Sequence, residues 1–264
     1  MTVVYYVRGV LFTIVLYVFT LFWTSLCLPM FLFPVRKRRF VPVVWSYSVR
    51  FLLRVFCGIQ IQVKGLENLP KQGGYIIASK HQSALETTAF HSMLPQVIYV
   101  LKRELSWIPV VGWWFRGTNC IVINRSEGTK AMLKMFEQAS ERLAEKYRLI
   151  IFPEGTRVPV GQHVPYHPGI YLLYEKTGAT VVPVALNTGY CWPKNKTIKY
   201  TGRVTFEFLP PMPKGLNKKE FMSLLEERIE TACARLPLPA EAKKEDIKTG
   251  KKEANTEANA EVKN

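Results

Sequence analysis

The chain has few cysteines and no pattern among them. Its 264 residues include five, Cys27, Cys57, Cys120, Cys191 and Cys233, with no CxxC pair. That scatter argues against a zinc site and a disulfide framework, and fits a reducing compartment. No Gly-x-Ser-x-Gly elbow surrounds Ser83, so the chain does not read as a serine hydrolase. His163 and His167 stand four apart, as a helical zinc pair would, but Pro165 and Pro168 forbid a helix there. No metal is expected. Internal repeats are absent from the sequence. Acidic side chains are scarce: 20 Asp and Glu face 36 Lys and Arg, a net charge of +16. That sign suits nucleic acid, a membrane surface or an anionic substrate. Nucleic acid is set aside, because no array of basic and stacking aromatic side chains accompanies the charge. Residues 240–264 hold six lysines and six acidic groups, so the excess lies in the preceding body. This tail has almost no bulky apolar residue and reads as disordered.

Charge is missing altogether between Gly9 and Val35. The run exceeds the roughly 20 apolar residues that cross a bilayer. Arg36-Lys37-Arg38-Arg39 follows it, against the single Arg8 before it. The carboxyl-terminal side is therefore expected on the cytoplasmic face of a membrane, the inner membrane if the cell is bacterial. A cleaved signal peptide fits less well, since the run is long, no A-x-A site follows and a basic stop does. Leu26-Cys27 lacks the small residue of a lipoprotein site. Pro29 and Pro34 leave a second path open, a re-entrant helix that enters and leaves on one face. Residues 42–57 are apolar and helical in pattern, with Arg50 and Arg54 on one face near Trp45 and Tyr47. That suits a helix at the lipid headgroups with its arginines snorkelling upward, or a helix packed on the domain. The expected division is a membrane anchor at 1–40, an interfacial helix at 41–58, a globular domain at 59–239 and the charged tail at 240–264.

Within the globular part, strands are predicted at 60–65, 74–79, 97–101, 120–124, 148–152, 180–186 and 203–208. Helices fall between many of them. The clearest are 128–146, with Met132, Phe136, Ala139 and Leu143 on one face, and 217–236, with Phe221, Leu224, Leu225, Ile229 and Cys233. The expected fold class is α/β: a single domain with a mainly parallel or mixed sheet of about seven strands flanked by helices, preceded by an N-terminal membrane helix.

The chemistry gathers where strands end. Lys80-His81-Gln82-Ser83-Ala84-Leu85-Glu86 follows the apolar run Tyr75–Ser79. On one continuous helix, residues five apart point about 140° away from each other, and His81 could not meet Glu86. If His81 lies in the turn and Ser83 caps the helix, Glu86 can fold back towards the imidazole. The same residues also spell a capping box, Ser83-x-x-Glu86, and the two readings are compatible. Arg125 follows the strand at 120–124. Phe152-Pro153-Glu154-Gly155-Thr156-Arg157 follows the strand at 148–152, with Gly155 allowing a tight turn. Open α/β sheets bind ligands at the carboxyl ends of their strands, and paired arginines there suit phosphate. Either arginine alone has the simpler explanation of a surface ion pair. His91 reads as structural. Trp107, Trp113, Trp114 and Phe115 could be core or could dip into lipid.

Together, His81-x4-Glu86, Gly117 to Arg125, Phe152 to Arg157 and Val182-Pro183-Val184 resemble the 1-acylglycerol-3-phosphate acyltransferase family. Lys102 to Leu105 and Ile108 to Gly112 look familial as well. The similarity runs over residues 60 to 210; Phe-Pro-Glu-Gly-Thr-Arg is highly specific, His-x4-acid alone is weak. The resemblance implies a membrane-bound enzyme making phosphatidate from a lysophospholipid acceptor and an acyl thioester, acyl-CoA or acyl carrier protein. No other cofactor is implied. His81 would be the general base and Glu86 its orienting acid. Arg125, Glu154, Gly155, Thr156 and Arg157 would hold the acceptor phosphate. Backbone amides near His81 or Gly155 would form the oxyanion site. Alternatives are another lysolipid or glycerol 3-phosphate as acceptor, or a non-catalytic lipid-binding protein. The sequence departs from the family in three places: Glu86 stands for the usual aspartate, Asn124 for aspartate, and His167-Pro168-Gly169 for a lysine-containing turn.

Overall fold

The computed structural model describes residues 2–124 and 127–239. Arg125 and the tail assigned to 240–264 lie outside the described residues. The chain opens with helix α1 (Thr2–Leu26). A 3-10 turn, Leu28–Leu32, carries Pro29 and reverses the chain. The short α2 (Val35–Arg38) and then α3 (Phe40–Leu52) follow, and α3 ends in a wide turn at Leu53–Cys57. α1 and α3 run antiparallel. Trp23 Nε1 donates to Val41 O at 3.0 Å and Trp45 Nε1 to Thr20 Oγ1 at 2.9 Å.

Both ends of α1 rest on the globular part. Gly9 lies so close to Thr197 that a Cβ would come within 2.2 Å of its carbonyl oxygen. One turn on, Phe12 is fully buried and edge-on to Trp192. At the other end, Trp114 Nε1 donates to Thr24 O at 3.0 Å. The opposite face of α1 exposes Leu11, Ile14, Tyr17, Val18, Leu21 and Phe22. The segments Val3–Leu26 and Val35–Cys57 are each long and apolar enough to cross a membrane. Such outward apolar faces are compatible with membrane association. The basic cluster is divided. Arg36 and Lys37 are exposed, whereas Arg38 donates to Phe33 O and Phe31 O and Arg39 lies over the Tyr147 ring. Arg50 does not snorkel. It turns inward and donates to Ser92 Oγ at 3.1 Å, because α3 packs along α4 (Leu85–Met93).

The sheet has seven strands, all at the expected places: β1 (Ile59–Lys64), β2 (Tyr75–Ser79), β3 (Val97–Lys102), β4 (Ile121–Ile123), β5 (Arg148–Ile151), β6 (Val181–Leu186) and β7 (Gly202–Phe208). Their order is β1-β7-β6-β2-β5-β3-β4. Neighbours are parallel except β6 and β7, so the sheet is mixed. β2, β5 and β6 sit centrally, buried on both faces, which is why they read as unbroken apolar runs. One face packs against α1, α3 and α4 through Phe12, Val49, Leu53, Leu85 and Phe90. Beyond the short α5 (Val111–Gly117), which bears Trp114, the other face carries α6 (Gly128–Ala144), α7 (Gly169–Thr177) and α8 (Lys218–Arg235), through Phe136, Leu143, Leu173, Phe221 and Leu225. The predicted α6 stripe is right except at Met132, which is 39% exposed. The chain is thus an α/β domain with an apolar helical hairpin against one face. It brings the carboxyl ends of β2, β3, β5 and β6 to one edge.

Candidate active site

β2 ends at Ser79, and the chain turns through Lys80 to Ser83 before α4 begins at Leu85. His81 sits in that turn and Glu86 is the second residue of the helix. His81 Nδ1 and Glu86 Oε1 are 2.8 Å apart. The meeting is possible because the two residues do not share a helix. Glu86 is fully buried. Its Oε1 also accepts from the backbone N–H of Gln82 and of Ser83, both at 2.7 Å, and its Oε2 from Thr188 Oγ1 at 2.8 Å. The capping box is therefore half formed. Glu86 reaches back to Ser83 N–H, but Ser83 Oγ accepts from Leu85 N–H. Glu86 thus accepts from two backbone amides and a hydroxyl, and a hydrogen on His81 Nδ1 completes the set of donors that face it. Nε2, which makes no hydrogen bond among the described residues, is left as the acceptor.

The imidazole stacks on Phe152, ring centres 4.0 Å apart, from the loop after β5. That loop continues through Gly155, whose φ of +66° explains the glycine. A Cβ there would also come within 2.8 Å of His167 Cδ2. Thr156 is exposed and Arg157 half-buried, and Arg157 has no ion-pair partner among the described residues. His81, Gly155, Thr156, Arg157 and His167 all line one cavity of about 1030 Å³. The cavity extends between Tyr99, Leu101, Trp114 and Met135 to Thr20, Val41 and Trp45 of the helical hairpin. Its walls are largely apolar, and His81, Thr156, Arg157 and His167 are among the polar side chains on them, as in a site for a long apolar ligand with an anionic head. A fixed base, a guanidinium with no ion-pair partner among the described residues and a largely apolar channel are together suited to deprotonating a hydroxyl carried by such a ligand.

An acyltransferase family profile matches residues 60–187. The 1-acyl-sn-glycerol-3-phosphate acyltransferase of Pseudomonas aeruginosa is 37% identical over 214 residues, 80% of this chain and 83% of that protein. The chain belongs to the 1-acyl-sn-glycerol-3-phosphate acyltransferase family. The alpha form from Bos taurus is 29% identical over 181 residues, 67% of this chain and 62% of its own. The solved 1-acyl-sn-glycerophosphate acyltransferase of Thermotoga maritima shares the fold, with a TM-score of 0.70 over 87% of this chain and 97% of that one, at 24% identity.

For this acyltransferase-family chain, two of the expected positions need restating. Glu154, expected at the phosphate, does not line the cavity. It is 2% exposed; its Oε2 accepts from His81 N–H at 2.7 Å and its Oε1 lies 2.8 Å from Lys80 Nζ. The backbone amides named for the oxyanion are also engaged. His81 N–H goes to Glu154, those of Gln82 and Ser83 to Glu86, and Gly155 N–H to Phe152 O. Lys80, Thr188 and Glu230 carry no motif and went unread in the sequence. Thr188 is 102 residues from Glu86, and Glu230 comes from α8. Burial works against the Lys80 ammonium, but its bonds to Glu154 and Glu230 outweigh it and hold its pKa up. Burial pushes the Glu154 carboxyl up, opposed by Lys80. Of the tryptophans, Trp114 is core, while Trp107 and Trp113 are exposed.

Proposed function

We propose that this protein is a membrane-bound acyltransferase that moves an acyl group from an acyl thioester to the free hydroxyl of 1-acylglycerol 3-phosphate, giving phosphatidate. The observation that carries the reading is the 2.8 Å pair of His81 and Glu86, whose imidazole lines a cavity that is also lined by Arg157. His81 Nε2 takes the hydroxyl proton as the oxygen attacks the thioester carbonyl. Glu86 stabilises the imidazolium that forms. The tetrahedral intermediate collapses, the C–S bond breaks, and the imidazolium returns its proton to the departing thiolate. The products are the ester and a free thiol. Arg157, preceded by Gly155 and Thr156, holds the acceptor phosphate; Arg125 is assigned the same task on its sequence motif alone. A guanidinium suits that task because it grips phosphate oxygens two at a time. The acyl chains lie in the apolar channel, which also keeps water from the thioester.

The anchor is a re-entrant hairpin rather than a straight span. Contacts of both ends of α1 with one domain, at Thr197 and at Trp114, support that choice. Residues 2–58 then form the membrane-facing hairpin, and the acyltransferase domain begins at residue 59. The basic cluster of Arg36 and Lys37 supports the cytoplasmic face, where either acyl-CoA or acyl carrier protein would be met.

The test is a thiol-release assay on purified protein in vesicles, with lysophosphatidate and each donor in turn. Release by wild type and a fall of about 10²- to 10⁴-fold in His81→Ala is the expected result. Equal rates in the two proteins would remove His81 as the base. Release only with another lysolipid or with glycerol 3-phosphate would change the acceptor. No turnover with any acceptor, despite lipid binding, would favour a non-catalytic binder.

A further inference from the structure

A second set of charges lies directly behind the site, and the reaction just described does not use it. Lys80 is the residue before His81 and is 2% exposed. Its Nζ stands 2.8 Å from Glu154 Oε1 and 2.7 Å from Glu230 Oε1. Tyr166 OH donates to the same Glu230 oxygen at 2.7 Å. None of these four residues lines the cavity, so none is placed to touch a substrate in it. Burying a lysine and the Glu154 carboxylate together is costly even with the Glu230 side chain 32% exposed beside them, and apolar residues of like volume usually serve stability as well or better. What the set does touch is the backbone of His81. Glu154 Oε2 accepts its N–H at 2.7 Å, and Val158 N–H donates to its carbonyl at 2.7 Å. Glu154 and Val158 belong to the loop that also carries Phe152, stacked on the imidazole, and Arg157.

We infer that Lys80, Glu230 and Tyr166 are positioning residues, which aim the Glu154 carboxylate at the His81 amide and so register the histidine turn against the arginine loop. The inference rests on the acyltransferase reading. Two loops from neighbouring strands must keep a base and an anion-binding guanidinium at one separation, and displacements of the order of 1 Å at such a site cost about 10²-fold in rate. Neither loop has a ladder of its own to hold it beyond the sheet. A buried ammonium shared between Glu154 on one loop and Glu230 on α8 supplies a rigid third point, because moving either loop would strand a charge away from water.

The experiment compares Lys80→Met, Glu230→Gln, Tyr166→Phe and the apolar pair Lys80→Met/Glu154→Leu, each by melting temperature, by kcat and KM, and by carbethoxylation of His81 read by mass spectrometry. The other three histidines of the chain serve as internal references. Lys80→Met is expected to lower kcat by about 10²-fold. Glu230→Gln and Tyr166→Phe should lower it about tenfold, with KM for lysophosphatidate within about twofold. The apolar pair should recover the melting temperature lost in Lys80→Met but not kcat, and His81 alone should be modified faster in all four. Variants that melt early yet turn over normally when folded would overturn the inference, as would recovery of kcat in the apolar pair. If wild type releases no thiol, the acyltransferase reading fails on its own. His81 carbethoxylation still decides the positioning role, and an unchanged rate across the variants would overturn it.

Discussion

Glu86 stands where the family usually places aspartate, one methylene shorter. Its carboxylate is met by His81, two backbone amides and Thr188, so both oxygens are occupied. Glu86→Gln keeps the size but turns an NH2 group towards some of these donors. It is expected to lower kcat by about 10²-fold or more, while Glu86→Asp, which keeps the charge, should lose about tenfold. Turnover numbers from the thiol assay check both, and wild-type activity in Glu86→Gln would remove Glu86 from the mechanism. His91 gives a prediction in pH. Half-buried in α4 against Tyr99, it has its pKa lowered by burial from 6.5 to about 4. Between those values the unfolded chain binds the extra proton and the folded one does not, so stability must fall as pH drops from about 6.5 to about 4. His91→Phe should flatten that part of the melting-temperature profile; an unchanged slope would show that His91 titrates alike in both states. His81 and Glu86 were legible because a histidine and an acid flank a strand-to-helix turn. Thr188 was not, since a hydroxyl 102 residues away has no local signature.

At the level of elements, α1 is held by close backbone approach. Gly9 faces Thr197 O, where a Cβ would stand at 2.2 Å. Gly9→Ala, or more so Gly9→Val, should lift α1 from the domain and cost about 1–3 kcal/mol, seen as a lower melting temperature in detergent. Gly169, at the start of α7, has nothing within 4 Å of its Cβ position and no positive φ. Gly169→Ala should therefore raise stability by up to about 1 kcal/mol. Equal effects of the two changes would show that α1 does not rest on Thr197. Strands and long helices were visible because their periodicity is set by one buried face. Met132 broke the α6 stripe because part of that face borders the cavity instead of the core. Arg50 broke the snorkelling pattern because α4 offered it Ser92, and a sequence does not say which helix lies alongside another.

For the molecule as a whole, charge and apolar surface act together. The outward face of the hairpin is apolar, and Arg36 and Lys37 stand exposed at its turn. Basic residues near an anionic surface are worth about 1 kcal/mol each, so removing both should weaken binding to anionic vesicles by about thirtyfold. Arg36→Ala/Lys37→Ala is the variant, vesicle sedimentation the measurement, and zwitterionic vesicles the control. An equal loss on both kinds of vesicle would mean that the two cations serve the fold and not the surface. Arg38 and Arg39 are unsuited to the test, because their guanidinium groups already hold Phe31, Phe33 and Tyr147.

Local order was written in the chain: seven apolar runs, an amphipathic helix, a charge-free start and residue groups placed just beyond strand ends. Those follow from periodicity and from the short reach of a side chain along its own backbone. Only the packed structure decided what meets across distance. It brought Thr188 to Glu86, turned Glu154 from the cavity to the His81 amide, and laid both ends of α1 on one domain. Such choices depend on strand order and helix docking, where residues far apart in sequence compete for the same buried donors and acceptors.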